Sequence, residues 1–99
     1  MPVTLSTALD DPSAVPYFLW DEPMNVAELR CRLRTASPEE RIRLLAIVLR
    51  EARDTDVWRF TTPTEVLRRW PELSIRLGRR RTFWDFLLQR WQKLGLLHD

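Results

Sequence analysis

From residue 26 onward, apolar positions recur at helical spacing, and polar residues with start and stop chemistry punctuate them. Val26, Leu29 and Leu33 form a narrow stripe that predicts a helix over 26–34. Asn25 serves as its N-cap and Glu28 as the capping-box partner. Ser37-Pro38-Glu39-Glu40 is a stronger start, with a cap, a proline at the first helical position and a glutamate at the third; the helix it opens runs from 38 to about 53. Thr62-Pro63-Thr64-Glu65 repeats the grammar and starts a helix to about Trp70, where Pro71 forces a break or restart. A short helix over 71–77 then ends at Gly78 as a left-handed C-cap, and a last helix from about 80 to 94 stops at Gly95. Asp54-Thr55-Asp56 reads as a turn. No alternating run bounded by turn residues marks a strand.

Two of these helices carry more apolar surface than one buried face needs. Leu44, Val48, Ala52, Leu45, Leu49, Ile42 and Ala46 cover about 200° of arc, against about 100° for an ordinary amphipathic helix. Phe86, Phe83, Leu87, Trp91, Trp84 and Leu88 do the same in the last helix. Each must bury itself on two sides. Either both are central and face each other, or part of that surface belongs to a partner chain or to a homodimer.

Residues 1–24 read differently. Pro2, Pro12, Pro16 and Pro23 break helices, and Asp10-Asp11 and Asp21-Glu22 make the segment acidic, which predicts an extended arm ahead of a helical domain at 25–99. Within the arm, Tyr17, Phe18, Leu19 and Trp20 form an aromatic cluster. The cluster either packs back onto the domain's own core or docks a partner, with Tyr17, Phe18 and Trp20 as the contacts. The fold expected is all-α, a single domain of four or five helices led by that arm.

Composition narrows the function classes. At 99 residues the chain fits one small domain, and 44% apolar with 30% charged residues is a globular balance. The lone Cys31 cannot form an internal disulfide. The longest apolar run, Leu44 to Leu49, is far too short to span a membrane. With no signal peptide at its start, the chain is expected to be cytoplasmic, without a membrane partner. Fifteen arginines stand beside a single lysine, Lys93, and five tryptophans are present. The charge is divided: residues 1–56 carry seven Arg against ten acids, while 57–99 carry eight Arg and Lys93 against four.

The densest chemistry lies between Arg68 and Arg81, where Arg68, Arg69, Arg76, Arg79, Arg80 and Arg81 face only Glu72. Arg79, Arg80 and Arg81 stand at the start of the last helix, whose N-terminus already carries positive partial charge. Two explanations follow. The arginines receive an anion, a phosphate or a partner's carboxylate, together with the helix N–H groups. Or they pair internally with Asp10, Asp11, Asp21, Glu22, Asp54 or Asp56, or stand as plain solvated charge. Nucleic acid is an alternative partner, because the helix order over 63–94 has the outline of a helix-turn-helix reader. Against it, Phe83, Trp84, Phe86 and Trp91 are poor readers of base edges, and the net charge is only +2. Catalysis has little to stand on. His98 is the one histidine and sits at the terminus, Asp54 and Asp56 lack further metal ligands, and no glycine loop cradles a phosphate. No enzyme activity, metal or cofactor is expected.

The run Leu49-Arg50-Glu51-Ala52-Arg53-Asp54-Thr55-Asp56-Val57-Trp58-Arg59-Phe60 resembles a small bacterial helical family. So do Thr62-Pro63, Glu65-Val66, Trp70-Pro71, Leu77-Gly78-Arg79-Arg80-Arg81, Phe83-Trp84, Phe86-Leu87-Leu88, Trp91 and Gly95-Leu96-Leu97. Phe18-Leu19-Trp20 is similar to an N-terminal aromatic motif of its neighbours. Members are often encoded beside a nucleotidyltransferase of the abortive-infection toxin type. The resemblance implies a protein partner, with this chain as antitoxin or accessory subunit, and it carries no catalytic residues.

Overall fold

The computed structural model describes residues 4–96. Two short strands, β1 (Leu5–Ser6) and β2 (Val15–Pro16), pair in parallel, with Leu5 opposite Val15. Six helices follow: α1 (Val26–Thr35), α2 (Pro38–Glu51), α3 (Asp54–Val57), α4 (Pro63–Arg68), α5 (Trp70–Ser74) and α6 (Arg80–Lys93). The architecture is mostly helical with one small sheet. It differs from the all-α expectation by that sheet and by α3, a single turn where the sequence indicated a bend.

The helix starts fall where the caps placed them. Asn25, Ser37 and Thr62 accept from the backbone N–H of Glu28, Glu40 and Glu65 at 2.8, 3.3 and 3.2 Å. The glutamates themselves do not fold back to close a capping box. Glu28 pairs with Arg32, Glu40 with Arg43, and Glu65 with Arg41. A charge-assisted bond to guanidinium is stronger than one to a neutral amide, and arginines are within reach of all three. Gly78 and Gly95 both take positive φ, +54° and +74°. At Gly95 the stop is a full Schellman motif: Leu96 N–H donates to the Trp91 carbonyl, and Gly95 N–H to that of Gln92.

Helix α2 is the axis of the core. Ile42, Leu44, Leu45, Ala46, Val48 and Leu49 are all buried; α2 packs against α1, α3 and α5, whose Leu29, Leu33, Val57 and Leu73 belong to the same hydrophobic cluster. Trp84 of α6 is fully buried, and its indole N–H donates to the Leu49 carbonyl at 2.9 Å. That carbonyl lies in the last turn of α2, where no helical N–H follows to satisfy it.

The segment before α1 is not a separate arm. Leu9, Phe18, Leu19 and Met24 belong to the same hydrophobic cluster as α2. The carbonyls of Ala14 and Pro12 accept from Val26 and Ala27 N–H, the otherwise unpartnered first donors of α1. The Tyr17 hydroxyl donates to Asp56 at 2.5 Å and accepts from Arg53 N–H at 2.8 Å. Burial, and then the Asp56 carboxylate, push this hydroxyl above the ordinary phenol range. Asp10 and Glu22 pair with Arg59 and Arg43. The boundary expected at residue 24 is thus a change of secondary structure, crossed by a continuous core.

Glu65 is the main buried carboxylate of the fold. It accepts two bonds from Arg41 at 2.8 Å and one from the Thr61 hydroxyl, and Arg69 lies 3.5 Å away. Arg41 also donates to the Leu33 carbonyl, tying the end of α1 to the start of α4. Burial pushes the Glu65 carboxyl up. The Arg41 and Thr61 hydrogen bonds and the charges of Arg41 and Arg69 outweigh that and hold it below its ordinary 4.5. A depressed carboxyl contributes stability above its unfolded pKa and loses it as pH falls through the lower folded value. Glu65→Gln is expected to cost about 1.5–3 kcal/mol at neutral pH. The deficit should shrink below pH 4.5. Urea unfolding of both proteins at neutral and acid pH checks this; a deficit independent of pH would contradict it.

Candidate functional site

The six arginines of the 68–81 stretch separate into two groups. Arg69 is half-buried beside Glu65, and Arg80 turns back onto its own fold. The Arg80 guanidinium donates to the Ala52 carbonyl at 3.3 Å and lies 5.0 and 5.5 Å from the ring centroids of Phe83 and Trp84. The cation at the start of α6 is therefore offset by the negative C-terminal end of α2 and by two aromatic faces. Arg68, Arg76, Arg79 and Arg81 are exposed, and their guanidinium groups have no ion pair or hydrogen bond among the described residues.

Among the described residues, Arg68, Arg76, Arg79 and Arg81 stand as solvated charge, and internal pairing is seen only for Arg69 and Arg80. None of the six candidate carboxylates pairs with the exposed arginines: Asp10 is on Arg59, Glu22 on Arg43, Asp56 on Tyr17 and Arg59, and Asp11 on Ser13, while Asp21 and Asp54 make no ion pair among the described residues. Two of the N–H groups at the start of α6 are already engaged. Arg80 and Arg81 N–H already donate to the Leu77 and Gly78 carbonyls, because the chain enters α6 through a continuous turn with Arg79 itself helical.

The aromatic segment is corrected in the same way. Phe18 is buried to 1% exposure, its ring edge-on to Tyr17 and Phe60, so it cannot be a docking contact. Tyr17 is half-buried with its hydroxyl committed on both sides. Trp20 alone of the three remains available, 60% exposed, with its indole N–H 3.3 Å from Glu51. It overhangs a cleft of about 630 Å³ between the N-terminal segment and α2. Phe18, Leu19, Ala46 and Ile47 form the cleft's apolar part, while Arg43, Arg50 and Arg76 balance Asp21, Glu22 and Glu51 around it. Four of those charges are spent on one another, Arg43 with Glu22 and Arg50 with Glu51, while Arg76 and Asp21 make no ion pair among the described residues.

The surface that stands out is α6. Of its apolar residues only Trp84 and Leu88 are buried; Leu87 and Trp91 are partly covered, Trp91 against Trp58 at 5.8 Å. Phe86 is 61% exposed, Leu94 61% and Leu96 66%, with Phe83 at 38%. The molecule is elongated, 47 × 25 × 23 Å, and both Trp84 and Trp91 of α6 pack on Trp58. Large apolar side chains gathered along a helix and its C-terminal end are a surface monomeric proteins rarely leave open. The wide apolar arc signalled this in the sequence, without saying which half would be covered.

Among the described residues, no group of three or more His, Cys, Asp or Glu is placed to hold a metal ion, and no helix is long and apolar enough to cross a membrane. His98 lies outside the described residues. No family model, curated protein or solved structure matches this chain.

Proposed function

We propose that this protein is a non-enzymatic interaction module, an accessory or antitoxin-like subunit for a nucleotidyltransferase. The observation that carries the interaction reading is the exposure of Phe83 and Phe86 on α6 and of Leu94 and Leu96 just past its C-terminal end, left open by the protein's own core. Aromatic and arginine side chains are the ones that anchor protein interfaces. Here Phe83 and Phe86 are accompanied by the exposed Arg79 and Arg90 on the same helix. The nucleotidyltransferase as partner comes from the resemblance of the 49–97 motifs. A second reading, a helical nucleic-acid-binding module, draws on the four exposed arginines Arg68, Arg76, Arg79 and Arg81. A phosphate-driven complex would use them and have little use for the phenylalanines.

Capture of the tagged protein from the cells that encode it, after nuclease treatment and at two salt concentrations, separates the readings. The expected result is a stoichiometric nucleotidyltransferase that stays bound at high salt, since apolar contacts are weakly screened. Nucleic acid recovered at low salt and lost at high salt, with no stoichiometric protein, would overturn the proposal in favour of the second reading.

A further inference from the structure

Arg90 occupies an unusual place on α6. At 100° per residue, Phe83, Phe86, Leu87, Arg90 and Leu94 share an arc of about 100°, a single stripe. Phe83, Phe86 and Leu94 are exposed on it, and Arg90 is exposed between Phe86 and Leu94. Its guanidinium has no ion pair or hydrogen bond among the described residues. A cation in the last helical turn complements the dipole, but Lys93 supplies that from the margin of the stripe. The dipole gives no reason for a second cation near the middle of an apolar row. The spacing from Arg79 to Phe83, Phe86 and Arg90 alternates four and three residues, the pattern by which one helix seats along another. In such seams a single charged residue at a core position fixes register by demanding one complementary partner.

Resting on the protein-interaction reading above, we infer that α6 docks one amphipathic helix of the partner protein, whose apolar stripe carries a carboxylate opposite Arg90. Charge selects this occupant over a second copy of the chain. Arg79, Arg80, Arg81, Arg90 and Lys93 stand against Asp85 alone between residues 79 and 93, so two α6 helices brought together would repel. The partner helix needs to cover Phe83 to Leu94, about 16 Å of helix axis. An acidic residue at the end of its stripe would meet Arg79, and one on its flank Lys93.

The test uses the full-length protein and two synthetic peptides, each about 18 residues, above the length at which isolated helices are marginal. Both carry leucines at alternating three- and four-residue spacing with glutamates on the flanks. They differ only at the central stripe position, Glu in one and Lys in the other. Calorimetric titration is expected to show the Glu peptide binding at least ~10-fold more tightly. Arg90→Glu should reverse the preference, whereas Arg34→Glu, an exposed arginine on α1, should leave it unchanged. Circular dichroism establishes that both variants remain folded. Equal affinity for the two peptides, a preference that survives Arg90→Glu, or one that Arg34→Glu abolishes equally would overturn the inference. So would a dimer in sedimentation that Phe86→Glu dissociates, because a second copy would then be the occupant. Failure of the peptides alongside capture of a salt-resistant protein sinks only this inference; capture of nucleic acid alone sinks the reading beneath it.

Discussion

Trp84→Ala is expected to leave the protein unfolded, or melting at least ~15 °C lower. Trp84 is fully buried where α6 meets α2, its ring edge-on to Trp58 at 5.5 Å and to Phe83 at 5.0 Å. Removing a buried tryptophan costs about 3–5 kcal/mol from lost burial and the cavity left behind. The Leu49 carbonyl would also lose the N–H that satisfies it, adding about 1–3 kcal/mol. Those losses approach the whole stability of a small domain, about 5–15 kcal/mol. Trp84→Phe separates the two terms, since it keeps much of the ring and drops only the donor. Thermal melts of the two variants would contradict this account if Trp84→Ala stayed within a few degrees of the parent.

The second large effect follows from the N-terminal segment. Deleting residues 1–24 is expected to abolish the cooperative melt, although an arm held for a partner could be removed without harm. The deletion strips Leu9, Phe18, Leu19 and Met24 from the core and takes away the carbonyls of Pro12 and Ala14 that receive the first N–H groups of α1. It also leaves Asp56 without Tyr17, and Arg43 and Arg59 without Glu22 and Asp10. Phe18→Ala alone should cost about 3–5 kcal/mol. A chain of residues 25–99 that melted cooperatively near the parent temperature would show that the segment is an appendage after all.

What was legible in the sequence was local. Asn25, Ser37 and Thr62 start their helices and Gly95 ends α6, because each signal acts through backbone within a few residues; Gly78 is left-handed as expected, but α5 has already ended at Ser74 with Ile75 as its cap. Pro71 restarts the chain as α5, as its ring requires. What escaped was decided by distant neighbours. Glu28, Glu40 and Glu65 had a backbone N–H within reach and took arginines instead. The strand pair of Leu5–Ser6 with Val15–Pro16 is too short to show alternation. Arg80 carried the same sequence signal as Arg79 and Arg81, yet only Arg80 reaches the Ala52 carbonyl. The aromatic arc of α6 was evident, but which part of it is covered depends on where Trp58 and Leu49 lie in space.

The central claim is that the open face of α6 holds a protein partner. It is tested most directly by repeating the capture with Phe86→Glu, a substitution at an exposed position that leaves Trp84 and Leu88 in place. The expected result is a folded variant that no longer retains the partner at any salt concentration, while Arg68→Ala retains it. A Phe86→Glu protein that still brings down the same stoichiometric partner would contradict the claim.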